Sequence, residues 1–477
     1  MRGVRARGVA GSVLLVVGGW TCMRLPRDTW MDDLGPLWSV RDAAHHLTWG
    51  LCLGAAGLVL LSWAWWDLWR VARGRRTDVA AVRRTAALWA APLLLAPPLF
   101  SGDGWSYVAT GALAARGESP YAWTPAALPT PLRSGVAPIW RFTPSPYGPI
   151  SVAWGSAFAH VTRDPWLLLE SYRLAAVLAL ALLAWAVPKL AVRGGVDPTE
   201  ATVLVVASPF LLAHGIGGLH NDVVVAALGL AAIVLSRPGR WLSGAVLVGL
   251  AAAVKAPGVA AALGVVLLSL GAGASWAARL RRAVEVGAVV LGVVLGCGWL
   301  TGLGTGWIGA LTVPDHEQTA LSITAVTGRW VHGVLRRAGP EGIRIIHDVH
   351  PEVLAKRIGL VVLAFVAIVA LLRTRLDAPA QAIRSSGFVL LAAVVLSPVV
   401  HYWYFLWCVP VLACAPLRRS QRAALVAAVL TLGLTAVGDR ALRIGWLWEG
   451  SAWALLLVPA ATWLVVRLDE RHRVALR

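Results

Sequence analysis

The sequence predicts an all-α integral membrane protein, a bundle of about fourteen transmembrane helices with two long loops on one side. Three observations predict it. Apolar runs of ~15–23 residues recur from end to end, close to the length a bilayer requires. Only 14% of the 477 residues are charged and 58% are hydrophobic, whereas soluble domains carry about a quarter charged residues. The runs are continuous rather than alternating, so helices and not barrel strands are the spanning form.

The expected spans lie near 8–23, 47–69, 85–100, 166–188, 200–215, 222–236, 241–254, 256–270, 283–302, 353–372, 385–400, 402–416, 423–437 and 446–466. Arg2, Arg5 and Arg7 precede the first run, which shows no small-x-small cleavage site and is followed by further spans, so it reads as an uncleaved first helix. The net charge of +19 does not point to nucleic acid, because the arginines cluster between apolar runs. Placing both termini in the cytoplasm puts Arg73, Arg75, Arg76, Arg83 and Arg84, then Lys189 and Arg193, Arg237 and Arg240, Arg279 to Arg282, Arg373 to Arg384 and Arg418 to Arg422 in short inner loops. This is the positive-inside pattern. The long loops 101–165 and 303–352 then face outward, within one transmembrane unit covering 1–477. Gly148 to His160 is apolar but too short to span, and reads as an interfacial or re-entrant helix. The five cysteines form no CxxC pair; a Cys22–Cys52 bridge is open but unsupported.

Ionisable residues at membrane depth cost about 2.5–3.5 kcal/mol each on insertion scales, so they call for a reason. Asp103, in GDGWSY, either caps a short helix over 104–116 or serves as a base that takes a proton from a hydroxyl. His220, Asn221 and Asp222 follow a glycine turn; capping explains the asparagine but not a histidine beside an acid. Lys255, one of three lysines, sits between apolar runs just before Pro257, where it either snorkels to head groups or holds a phosphate. His401 stands at an outer turn in SPVVHYWYFLW; an aromatic belt accounts for about half the rings around it but not for an imidazole. The second loop holds Asp315, His316, Glu317, His332, His347, Asp348 and His350, and only His347 and His350 have a spacing a metal can use. No metal site is expected.

The pieces GDGWSYVATGALAARGESPY, WRFTPSPYGPIS, GGLHNDVVVAALGLA, AAAVKAPG, TALSITAVTG and LSPVVHYWYFLW occur in order between about residues 100 and 410. Together they resemble the polyprenol-phosphate-mannose-dependent α-1,6-mannosyltransferases of actinobacterial cell envelopes, membrane glycosyltransferases of GT-C type. Tyr402 departs from the family pattern, which has a proline after the histidine. The resemblance implies a catalytic base at Asp103. It implies donor phosphate or sugar contacts at Lys255, His401, Arg141 and Tyr107, and donor or acceptor contacts at His220, Asn221, Asp222, Tyr147 and Tyr404. It implies a polyprenyl-phosphate mannose donor, a lipid-anchored mannan acceptor of lipomannan type and membrane lipids as partners. No cofactor is implied beyond that donor, and the sequence has no P-loop. Three other readings stay open: a related transferase with another sugar or linkage, a lipid-linked sugar transporter or flippase, and an accessory, non-catalytic membrane subunit. Against the transporter, the sequence shows no internal repeat or paired broken helices, and its polar positions gather at one face.

Overall fold

The computed structural model describes residues 1–313, 319–437, 453 and 455–466. It is helical throughout, and among these residues the only β feature is an isolated bridge between Arg237 and Arg240. The helices that position the site are α1 (Arg2–Cys22), α2 (His46–Arg73), α3 (Val79–Leu93), α4 (Asp103–Ala115), α5 (Pro149–Ala159), α6 (Pro165–Arg193), α7 (Asp222–Leu235), α8 (Leu242–Val254), α9 (Trp276–Leu300), α10 (Pro351–Arg373), α11 (Pro379–Val395) and α12 (Arg419–Leu434). Their starts follow local rules. Proline occupies the first turn of α5, α6, α10 and α11, where its missing N–H costs nothing. Asp78, Asp164 and Ser275 cap α3, α6 and α9 through their side-chain oxygens.

The helices pack in chain order. The first pair, α1 and α2, meets through glycines: a methyl group on Gly11 would lie 2.8 Å from the Gly57 carbonyl oxygen. Close backbone approach through small residues is how membrane helices gain packing when burial from water contributes little. Helix α4 lies on α5 and α6, α6 on α7, α7 on α8, and α8 on α9. The opposite faces carry exposed apolar side chains, among them Val13, Trp63, Leu178, Leu291, Val361 and Phe365. Water would not tolerate that surface, and a hydrocarbon solvent does.

Among the described residues, five helices are long and apolar enough to cross a membrane: α2, α6, α9, α10 and Arg419–Val437, which includes α12. A sixth counts if Leu211–Gly217 and α7 form one broken span, bent by 111°. The sequence suggested about fourteen. Other apolar runs form shorter helices: Leu242–Val254, Ala256–Leu268 and Pro379–Val395 each stay below 18 residues, and of the run expected at 446–466 only 453 and 455–466 are described. Prolines and turns at Lys255–Pro257 and Ser397–Pro398 divide them, because proline removes a helical hydrogen bond and clashes with the preceding turn. The predicted helix at 148–160 forms as α5, and the one at 104–116 forms as α4, starting one residue earlier. All five cysteines are free, so no bridge joins Cys22 to Cys52.

The arginines do more than set topology. Arg41 donates to the carbonyls of Trp20 and Met23 at the end of α1. Arg193 donates to Ile233, Val234 and Ser236 at the end of α7. Arg279 donates to Leu371, Leu372 and Thr374 at the end of α10. The last carbonyls of a helix have no partner within it, and lipid offers none. A guanidinium with five donors satisfies several at once.

Candidate functional site

Two sharp turns carry the acid and the first histidine. Phe100, three residues before Asp103, and Leu219, just before His220, both adopt left-handed backbone at φ 59°. For residues with a side chain this costs about 1–2 kcal/mol each, so the surroundings must hold it. The turns are joined where the Leu99 N–H donates to the Gly217 carbonyl at 3.0 Å. The second turn follows a π-helical segment, Leu211–Gly217, a deviation common at functional sites.

Asp103 is the first residue of α4, and its side chain makes no capping bond. The capping alternative is therefore not the one adopted. The carboxylate, 6% exposed, accepts a hydrogen bond from Trp140 Nε1–H at 3.0 Å. Its other oxygen lies 3.4 Å from His220 Nδ1, longer than a well-formed hydrogen bond. Burial by itself raises the Asp103 pKa, but contact with His220 and the charges of His220, His401 and Lys255 outweigh it and hold the group at about 2. It is a carboxylate at any physiological pH.

Trp403 joins the two histidines. Its ring stacks on His220 at 3.6 Å with an 11° tilt and on His401 at 4.4 Å with a 2° tilt. The His401 turn is itself pinned by the second loop. Ser322 Oγ and Thr324 Oγ1 donate to the Ser397 carbonyl, at 2.9 and 3.2 Å, and Val400 N–H donates to Thr319 Oγ1 at 3.0 Å. These contacts give the TALSITAVTG stretch a physical role. Tyr402, at the position where the family pattern has proline, is buried with its ring stacked near His214 at 6.3 Å.

Burial pushes the His401 imidazole down from 6.5 to about 4, with the neighbouring Asp103 opposing and Lys255 and His220 adding to the fall. The folded chain thus keeps His401 neutral where an unfolded chain would protonate it. Between pH 6.5 and 4 the unfolded state binds the extra proton, so stability declines as pH is lowered through that window. The unfolding midpoint in detergent should fall measurably from pH 7 to pH 4.5, and His401→Gln should flatten that slope. An unchanged slope would assign the acid sensitivity to other groups.

Lys255 lies in the turn after α8 and does not stand free. Its ammonium sits 2.9 and 3.0 Å from the two carboxylate oxygens of Asp222, over the ring of Tyr404 at 4.2 Å. Trp407 Nε1–H adds a bond to Asp222 Oδ1 at 2.8 Å. The cation therefore has an internal counter-ion, which the sequence reading did not anticipate. Two of its three donors go to Asp222, and the Tyr404 hydroxyl is a further hydrogen-bond partner. Tyr404 packs edge-on to His401 at 5.4 Å and so links the lysine to the histidine pair.

Tyr107 and Tyr147 are buried edge to face at 4.8 Å, and the Tyr107 hydroxyl accepts from Asn221 N–H at 3.4 Å. Asn221 Nδ2 donates to Ser151 Oγ at 3.4 Å. Gly148 N–H donates to the Val254 carbonyl at 3.0 Å, fastening the first long loop to the Lys255 turn; a side chain on Gly148 would strike the Ala253 carbonyl. Among the described residues, both ring nitrogens of His220, Asn221 Oδ1 and Trp403 Nε1 are buried without a well-formed hydrogen bond. Buried polar atoms of that kind are rare and call for a polar ligand.

Beside this cluster lies an apolar cavity of about 270 Å³ between α5, α6, α7 and α8. Ser151 and Asn221 are among its polar lining residues, and Trp154, Ala175, Leu178, Val224, Leu228 and Leu250 among its apolar ones.

Asp103, His220, Asn221, Asp222, Lys255, His401, Tyr107, Tyr147 and Tyr404 thus belong to one contact network. Among the described residues Arg141 has no contact with this network: Nη2 donates to the Val136 carbonyl at 3.4 Å, and Nε is buried without a partner. Its neighbour Trp140 touches the acid instead. Trp140, Trp403 and Trp407 are the residues the sequence reading undervalued, because rings in apolar surroundings look like membrane belt. Their signal was proximity in sequence to Arg141 and His401. In the second loop, Asp315, His316 and Glu317 lie outside the described residues, and among the described residues no group of three or more His, Cys, Asp or Glu could hold a metal.

Comparison with known proteins places the chain. Residues 5–271 match the family described as alpha-(1->6)-mannopyranosyltransferase, N-terminal domain, and residues 350–467 match the MptB C-terminal domain. A Mycolicibacterium smegmatis protein named "Probable alpha-(1->6)-mannopyranosyltransferase" is 30% identical over 92% of this chain and 84% of its own length. Alpha-(1->6)-mannopyranosyltransferase A of Mycobacterium tuberculosis is 30% identical over 87% and 80%. Alpha-(1->6)-mannopyranosyltransferase B of Corynebacterium glutamicum is 30% identical over 71% and 60%. No solved structure matches the chain. With a family match over more than half its length and relatives aligned along most of theirs, this chain belongs to the alpha-(1->6)-mannopyranosyltransferase family.

Proposed function

We propose that this protein transfers a mannosyl residue from polyprenyl-phosphate mannose to a hydroxyl of a lipid-anchored mannan, forming an α-1,6 linkage on the outer face of the membrane. The observation that carries the reading is a buried, ionised Asp103 set among unpartnered polar atoms beside an apolar cavity. A sugar headgroup suits the first and a prenyl chain suits the second. Mannosyl transfer itself is supported by the names of the relatives.

The donor is already activated, because phosphate leaves readily. The acceptor oxygen attacks the anomeric carbon while its proton passes to the Asp103 carboxylate. The bond from that carbon to the phosphate oxygen breaks, and its electron pair leaves with the phosphate. A β-linked donor gives an α-linked product in this single displacement. A carboxylate held at about pKa 2 is a weak base, so it accepts the proton only as the new C–O bond makes the hydroxyl acidic. The two events are therefore concerted. Neutral His401 and the Lys255–Tyr404 pair donate hydrogen bonds to the departing phosphate, where charge develops. The Asp222 partner moderates the lysine, which keeps the phosphate from being held too tightly to leave. The scheme calls for no cofactor beyond the lipid-linked donor. The arginine pattern of the short loops supports cytoplasmic termini and an outward site.

A direct test is purified protein in proteoliposomes with radiolabelled polyprenyl-phosphate mannose and a short α-1,6-mannoside, the products separated by chromatography. Label moving to the acceptor supports the proposal; transfer from a different lipid-linked sugar only would replace it with another specificity. Ala175→Trp should fill the cavity between α5 and α7 and raise the donor KM by about tenfold, while a water-soluble short-prenyl donor is affected less. Equal effects on both donors would mean that the chain lies elsewhere.

A further inference from the structure

We infer that Arg173 is a positioning residue: its guanidinium sets the spacing between the turn that carries Asp103 and the turn that carries His220. It lies on α6, inside one of the longest apolar helices, and is 1% exposed. Nη1 donates to the carbonyls of Leu93 at 2.9 Å and Ile216 at 2.8 Å, and Nη2 donates to Ala96. Nε donates to Glu170 at 3.1 Å.

The three carbonyls are not a random set. Leu93 and Ala96 lead into the proline turn that ends at Phe100, ahead of Asp103. Ile216 is the penultimate residue of the π-helical segment ahead of Leu219 and His220. One cation thus grips the root of each left-handed turn, on elements more than a hundred residues apart in sequence. The Leu99–Gly217 hydrogen bond also ties these turns. A 3.4 Å approach of Asp103 to His220 depends on the relative placement of the two roots, and a shift of about 1 Å at reacting groups can cost a hundredfold in rate. Lysine could not replace the arginine, since a single ammonium on a flexible stem does not span three acceptors in fixed geometry.

The inference about activity rests on the proposed transfer, so the test has an arm that does not. In nanodiscs, cryo-electron microscopy of Arg173→Met is expected to show the Asp103 carboxylate and the His220 ring separated beyond ion-pair reach. An unchanged separation overturns the inference whether or not any sugar is transferred. The second arm compares Arg173→Met and Arg173→Lys with Arg279→Met, which removes an equivalent grip on three carbonyls outside the site. Assayed with polyprenyl-phosphate mannose, the Arg173 variants should lose about ten- to hundredfold in kcat with donor KM within threefold. The Arg279 variant should lose activity only in step with its unfolding midpoint. If all three follow the midpoint alike, Arg173 is structural and the inference fails. A wild-type protein that transferred nothing would defeat the functional reading, and the cryo-electron microscopy arm would still decide this one.

Discussion

Asp103→Asn should lower mannosyl transfer by about 10²–10⁴-fold, the usual contribution of a positioned general base. The amide keeps the size of the carboxylate and an oxygen that accepts from Trp140 Nε1–H, so the loss should fall on kcat and not on folding. Initial rates with labelled donor in proteoliposomes, set beside unfolding midpoints, separate the two. A variant that elongates mannan at the parental rate would remove Asp103 from the chemistry and leave the acid as a packing group. The size of the effect follows from burial: with Asp103 nearly enclosed, bulk water cannot readily replace it as proton acceptor.

The second large effect is on stability. Asp222→Asn should destabilise the protein by about 3–5 kcal/mol, because removing one partner of a buried pair strands the other charge. Asp222 is fully buried and the Lys255 side chain is 12% exposed, so little water compensates. Trp407 loses its carboxylate acceptor in the same step. Converting the pair together, Asp222→Leu with Lys255→Met, should recover most of the loss, since an apolar replacement leaves no unpaired charge. Denaturant unfolding in detergent across the four members of this cycle measures it. A loss below about 1 kcal/mol for Asp222→Asn, the range of exposed pairs, would mean that solvent reaches the ammonium. The double variant should also lose transfer, since the phosphate keeps one donor fewer.

The outline of the fold was legible in the chain because bilayer solvation acts locally. Apolar runs marked helices α5, α6 and α10 close to their observed bounds, whereas the span expected over 85–100 forms earlier in the chain as α3, Val79–Leu93. Polar residues in apolar surroundings marked nearly all of the site. The count of spans was less legible, because the runs expected as spans at 241–254 and 256–270 form apolar helices shorter than 18 residues, Leu242–Val254 and Ala256–Leu268. Composition registers hydrophobicity without registering where the axis turns.

The sequence by itself determined that this chain is a helical membrane protein of the mannopyranosyltransferase family, and that Asp103, His220, Asp222, Lys255 and His401 are anomalous where they stand. Only the tertiary structure decided how they are paired. Lys255 answers to Asp222, the acid faces His220, Trp403 separates two imidazoles, and Arg141 stands aside for Trp140. The physical reason is range. A misplaced charge is penalised by its own solvation, which a window of sequence reveals, whereas the choice of its partner depends on distances across helices, which no window contains.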